Sequence, residues 1–185
     1  MSPSGQVVHR YQDIISIFNA CFAKEYQTRL VRGGDEPIYL PASGSRAYHA
    51  IYFAHGFFSS ALHECSHWLI AGAARRQQED FGYWYVPDGR TAAEQELFLS
   101  VEVKPQAMEW ILSTAARYPF RISVDNLNGA SCDFAPFQQA IYHQVKKYCQ
   151  EGLSARAKLF REAICHFYGT DCDLKMHDFD FEMIG

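Results

Sequence analysis

Phe57-Phe-Ser-Ser-Ala-Leu-His-Glu-Cys-Ser-His-Trp-Leu-Ile-Ala-Gly-Ala-Ala-Arg-Arg76 is the stretch around which the chain organises. It contains no proline, and apolar residues recur at 58, 61, 62, 65, 69 and 73, the spacing of one helical face. The pattern predicts a helix over about 57–76. Ser59 or Ser60 serves as its N-cap, and Arg75-Arg76 complements the negative end of its dipole. Inside it, His63-Glu64-Cys65-Ser66-His67 is a His-Glu-x-x-His motif. Residues four apart share a helix face, so both imidazoles can reach one ion at about 2.0–2.1 Å. Glu64 falls beside them, placed to take a proton from water as general base.

Two imidazoles make a weak site, so a third ligand is expected. Glu102 is the first choice, in Val101-Glu-Val-Lys-Pro-Gln-Ala107, with the small Ala107 allowing close packing against the first helix. Asp80, Asp88 and His55 are its rivals. His55, just before the metal helix, fits better as a group orienting a ligand from behind. Two His and one carboxylate with open positions suit hydrolysis on Zn(II), with Glu64 as base, or dioxygen chemistry on Fe(II). Ligand type alone does not separate these. No His-x-Asp or His-x-Glu triplet of the β-barrel oxygenases is present. A purely structural zinc is disfavoured, since such sites close with four ligands, often Cys, and the six cysteines here are dispersed.

Outward from this helix, Ile14, Phe18, Cys21 and Phe22 predict an amphipathic helix near 11–26, broken by Gly33-Gly34-Asp35. Pro37 to Leu40 reads as a short extended piece, and Ala50 to Ala54 as a buried strand. The aromatic run from Asp80 to Tyr85 reads as a short strand closed by a turn at Gly89. Thr91-Ala-Ala-Glu94 is a capping box that opens another helix, interrupted or restarted at Pro105. Arg121 to Val124 is a candidate strand. Helices follow over about 136–150 and over 154–168, the latter capped by Ser154 and stopped by Gly169. Residues 1–9 and 170–185 read as irregular tails of a single domain spanning 1–185. The fold class is α+β, helix-rich with one small sheet.

The 185 residues are 48% hydrophobic and 21% charged, enough apolar material for one sizeable core. A formal charge of −4 provides no global cationic field, so direct DNA binding is not expected. No signal peptide or apolar run of about 20 residues is present, which points to the cytoplasm, away from membranes, with reduced thiols.

Several longer segments add a resemblance. Asp35-Glu-Pro-Ile-Tyr-Leu-Pro-Ala42, Phe53-Ala-His-Gly-Phe57, the metal motif through Trp68, Ala71-Gly72 with Ala74-Arg-Arg76, Asp80-Phe-Gly-Tyr-Trp-Tyr85, Pro87-Asp-Gly-Arg90 and Val101 to Ala107 lie in this order. With Tyr118-Pro-Phe120 and Asp125-Asn-Leu127 they resemble the bacterial elongation factor P hydroxylase family from about residue 10 to 168. The N-terminal residues and the tail after Gly169 depart from the pattern. The resemblance implies a zincin-like, metallohydrolase-like arrangement around the His-Glu-x-x-His helix, with His63, His67 and Glu102 as ligands. It implies Fe(II) rather than Zn(II), dioxygen as co-substrate, and β-lysylated elongation factor P as partner, hydroxylated on its modified lysine. On that footing Asp80–Arg90 is a candidate lid. Tyr83, Trp84 and Tyr85 would wall the alkyl chain, and Asp80 or Asp88 would pair an ammonium. Arg75-Arg76 or Arg156-Ala-Lys158 would dock the acidic factor.

Overall fold

The computed structural model describes residues 7–80, 90–124 and 134–184. Helix α1 (Tyr11–Phe22) is followed by strands β1 (Thr28–Arg32), β2 (Ile38–Leu40) and β3 (His49–Phe53). Then come helices α2 (Phe58–Ile70), α3 (Ala92–Ala115), α4 (Ala135–Glu151) and α5 (Ala155–Tyr168), with short 3-10 turns at Arg75–Gln77, Met176–Asp178 and Phe181–Met183. The architecture is helix-rich α+β. The three strands lie in the order β1-β3-β2, with β3 parallel to β1 and antiparallel to β2.

Strand β1 was hidden in sequence, where Thr28–Arg32 carries three polar residues and no clear apolar period. Its pairing is long-range, Leu30 opposite Ile51 on β3. Asn19 of α1 holds it from the other side, accepting from Leu30 N at 2.9 Å through Oδ1. The short β1 thereby has part of its free edge covered by a side chain.

Helix α2 is shorter than its apolar period predicts. It ends at Ile70, and Ala71 turns extended (ψ 129°). Phe57, not Ser59 or Ser60, occupies the N-cap without a side-chain bond. Ser60 instead accepts from Ala54 N at 3.1 Å, tying the helix to the end of β3. Arg75 and Arg76 do not complete the helix either. Its C-terminal carbonyls are taken by Arg156 of α5, which donates to Trp68 O, Leu69 O and Ala71 O (3.1, 3.3 and 2.7 Å). The same guanidinium lies 4.6 Å from the centroid of the Trp68 ring. A cation from a distant helix therefore neutralises the negative end of α2.

Helix α3 corrects a second expectation. The capping box at Thr91 and Glu94 forms as predicted, with Thr91 N donating to Glu94 Oε2 at 2.9 Å. Pro105 then neither interrupts nor restarts the helix, so Glu102 lies in its interior. An internal proline costs about 3 kcal/mol because a helix bond is lost. Here the carbonyl deprived of that bond belongs to Val101, which is 48% exposed, so water can serve it.

Arg121 to Val124 forms no strand. Its backbone is satisfied by side chains of α3: Gln106 Nε2 donates to Ser123 O at 2.6 Å, and Ser123 N donates to Gln106 Oε1 at 3.1 Å. The expected aromatic strand and turn of 81–89 lie outside the described residues. Asp80 bridges to Tyr39 through paired backbone bonds. The tail is irregular but packed, with Phe179 and Ile184 buried against α3 and α4.

Two apolar clusters meet at α3. One gathers Phe18, Phe22, Leu30, Phe53, Leu62, Trp68 and Phe160 between the sheet and α1, α2 and α5. The other gathers Ala107, Ile111, Phe137, Ile141 and Val145 between α3 and α4. Helix α3 is thus gripped on both sides and holds a fixed position against α2. Among the described residues no disulfide forms, and Cys65 and Cys165 are buried free thiols.

Candidate metal centre

The motif divides by face. Cys65 and Ser66 are buried in the core, whereas the side chains of His63 and His67 keep 22% and 23% exposure. The two rings converge, with their Nε2 atoms 3.1 Å apart. Glu102 comes from α3 and is almost wholly buried; its Oε1 lies 3.4 Å from His67 Nε2 and its Oε2 lies 3.5 Å from His63 Nε2. One donor atom from each residue lies within 4.8 Å of the others.

These distances fit one small cation. Bonds of about 2.0–2.1 Å in tetrahedral geometry put donors roughly 3.3 Å apart, and the approaches here run from 3.1 to 3.5 Å. Glu102 Oε2 is also buried without a hydrogen-bond partner, a state that costs free energy unless something positive lies beside it.

Glu109, which sequence reasoning missed, lies about two turns beyond Glu102 on α3. His63 Nδ1 donates to Glu109 Oε2 at 2.8 Å, since a carboxylate can only accept. In the neutral ring that leaves the Nε2 lone pair facing His67 and Glu102, the tautomer a metal needs. The available signal was the spacing of Glu102 and Glu109, which puts two carboxylates on one helical face.

Electrostatically the carboxylates favour positive charge at the two rings. Burial disfavours charge on His63, but the hydrogen bond and charge of Glu109, with Glu102 and Glu64, outweigh it and raise the ring to about 10. His67 is also raised; burial opposes this and the Glu102 carboxylate overcomes it. Burial pushes the Glu102 carboxyl up, but the two imidazoles more than offset this and its pKa ends below the usual range. Glu64 is raised, chiefly by burial.

The other expected residues fall elsewhere. His55 sits at the turn from β3 into α2 with φ 55°, its Nδ1 3.8 Å from Asp35, and the carboxylate behind His63 is Glu109 instead. Asp80 is gripped by Arg75 through two bonds of 2.7 Å. Tyr83, Trp84, Tyr85 and Asp88 lie outside the described residues. Arg90 is fully buried, donating to Gln95 Oε1 and Val124 O, with its guanidinium 4.0 Å from the Phe98 ring centroid.

A family model described as elongation factor P hydroxylase matches residues 17–179. A curated protein of Haemophilus influenzae, named elongation factor P lysine hydroxylase, is 58% identical over 176 residues, covering 95% of this chain and 99% of its own length.

Proposed function

The chain belongs to the elongation factor P hydroxylase family, and from that premise we propose that it hydroxylates the β-lysylated lysine of elongation factor P in the cytoplasm. It does so as one metal-dependent domain over 1–185, with a zincin-like pairing of a His-Glu-x-x-His helix and a carboxylate helix. The observation that carries the reading is the convergence of His63, His67 and a buried, unpartnered oxygen of Glu102. Among the described residues no helix is long and apolar enough to cross a membrane.

His63, His67 and Glu102 would hold Fe(II), which would supply dioxygen activation when bound. Glu109 keeps the His63 ring oriented. Glu64, with a carboxyl raised by burial, holds or passes a proton beside the ligands. One oxygen atom enters a C–H bond of the lysine; the other leaves as water on two electrons from a reductant and two protons. The Zn(II) hydrolase alternative uses the same residues but draws no support from the relatives, which are named as hydroxylases.

The test is direct. Chain purified without oxygen is loaded with Fe(II) and given β-lysylated elongation factor P, a reductant and air. The factor should gain the mass of one oxygen atom. No gain, together with hydrolysis by the Zn(II) form, would replace this reading with the alternative.

A further inference from the structure

We propose that the modified lysine reaches the centre along the groove between the β3–α2 turn and the Tyr118–Ser123 segment, on the side of Glu64 away from Asp80. This rests on the hydroxylase reading above. Among the described residues, two cavities flank Glu64. One, lined by Tyr39, His67, Trp68, Arg75 and Asp80, has about 30 Å³, roughly the share of one water in the liquid. The other has about 760 Å³, within the roughly 300–1,000 Å³ typical of ligand sites. Of these two, the second has room for a lysine carrying another lysyl group.

Its chemistry matches such a chain. His63, Glu64 and Glu109 line it, so the groove runs up to the ligand cluster and carries two carboxylates, with one cation, Arg121, on the Tyr118–Ser123 wall. Phe57, 60% exposed, and Pro119 form an apolar lip. An alkyl chain bearing ammonium groups needs that combination: apolar walls for the methylenes and carboxyl oxygens that accept from the amines.

The walls are also held in place. Gln106 clamps Ser123 from α3 by two hydrogen bonds. On the opposite wall, His55 and Gly56 take consecutive left-handed conformations (φ 55° and 69°), turning the chain sharply to bring Phe57 to the lip. Any other residue at 56 would be strained by φ 69°, and its Cβ would lie 3.1 Å from Arg32 Nε. A left-handed non-glycine residue is a strained feature of the kind that gathers at binding sites.

Ser59→Trp and Pro119→Trp fill the groove from opposite walls, and Lys146→Trp on α4 controls for an added indole. Each variant is loaded with Zn(II), which accepts the same donors without redox chemistry. Metal content is checked, and binding to β-lysylated and to unmodified elongation factor P is titrated. Both groove variants should keep their metal and lose about tenfold or more in affinity for the lysylated factor, with far less loss for the unmodified one. Lys146→Trp should bind as wild type. Wild-type affinity in both groove variants, equal losses for the two forms of the factor, or no preference of the wild type for the lysylated form would each overturn the groove. If groove-dependent binding is present but the Fe(II) form adds no oxygen, the hydroxylase reading fails while the groove stands.

Discussion

Helices α2 and α3 supply the centre in opposite ways. Helix α2 offers two imidazoles one turn apart on a face that water still reaches, and its end is finished by an arginine from α5. Helix α3 caps its own start and offers two carboxylates about two turns apart, both nearly buried. The rings can exchange protons with solvent, while the buried charges decide which state they prefer. The difference separates two tasks: α2 sets the spacing of the donors, and α3 sets their charge and tautomer.

Removing one helix's contribution breaks that division most sharply. Glu102→Ala should lower Fe(II) or Zn(II) affinity beyond the roughly 100-fold that loss of an outer partner costs, as read by chelator competition. His63→Ala should behave alike. Undiminished affinity in Glu102→Ala would hand the third position to another residue. Next comes the orienting carboxylate. Glu109→Leu should weaken metal binding by about 10–100-fold, whereas Glu109→Gln, whose amide oxygen still accepts from Nδ1, should recover most of it. Equal losses in the two variants would reduce Glu109 to packing.

The raised His63 ring gives a third test. His63 is raised from an unfolded value near 6.5 to about 10, so below pH 10 a metal must displace its proton. Apparent metal affinity should therefore climb with pH throughout the range below about 10 and level off there. The sign for stability is the reverse. A raised histidine stabilises the metal-free fold fully below its unfolded pKa, and that contribution is lost as pH rises through the folded value. The Tm of metal-free protein should accordingly fall between about pH 6.5 and pH 10. The smallest effect is expected at the end of α2. Arg156→Ala should cost about 1.5–3 kcal/mol in urea unfolding and change metal affinity less than Glu109→Leu, because Arg156 bonds the carbonyls of Trp68, Leu69 and Ala71 and neither ligand ring.

Much of this was legible because it is local. The His-Glu-x-x-His spacing, the Thr91–Glu94 box and the Ser154 and Gly169 helix ends depend on neighbours along the chain, and they formed as expected. What was misread depends on distant partners. Thr28–Arg32 becomes a strand only because β3 and Asn19 accept it. Helix α2 stops short of its apolar period because Arg156 captures its carbonyls. Pro105 was taken as a break because its own cost is local, while the packing that carries α3 through it comes from both apolar clusters. Glu102 was within reach through its motif. Glu109 looked like any helical glutamate until α2 was laid against it.

X-ray absorption at the iron edge of anaerobically loaded protein tests the centre most directly. Two imidazoles and a carboxylate predict one ion per chain, nitrogen and oxygen scatterers at about 2.0–2.2 Å, and outer-shell scattering from two histidine rings. A sulfur scatterer near 2.3 Å, or the ring signature of a single histidine, would contradict it.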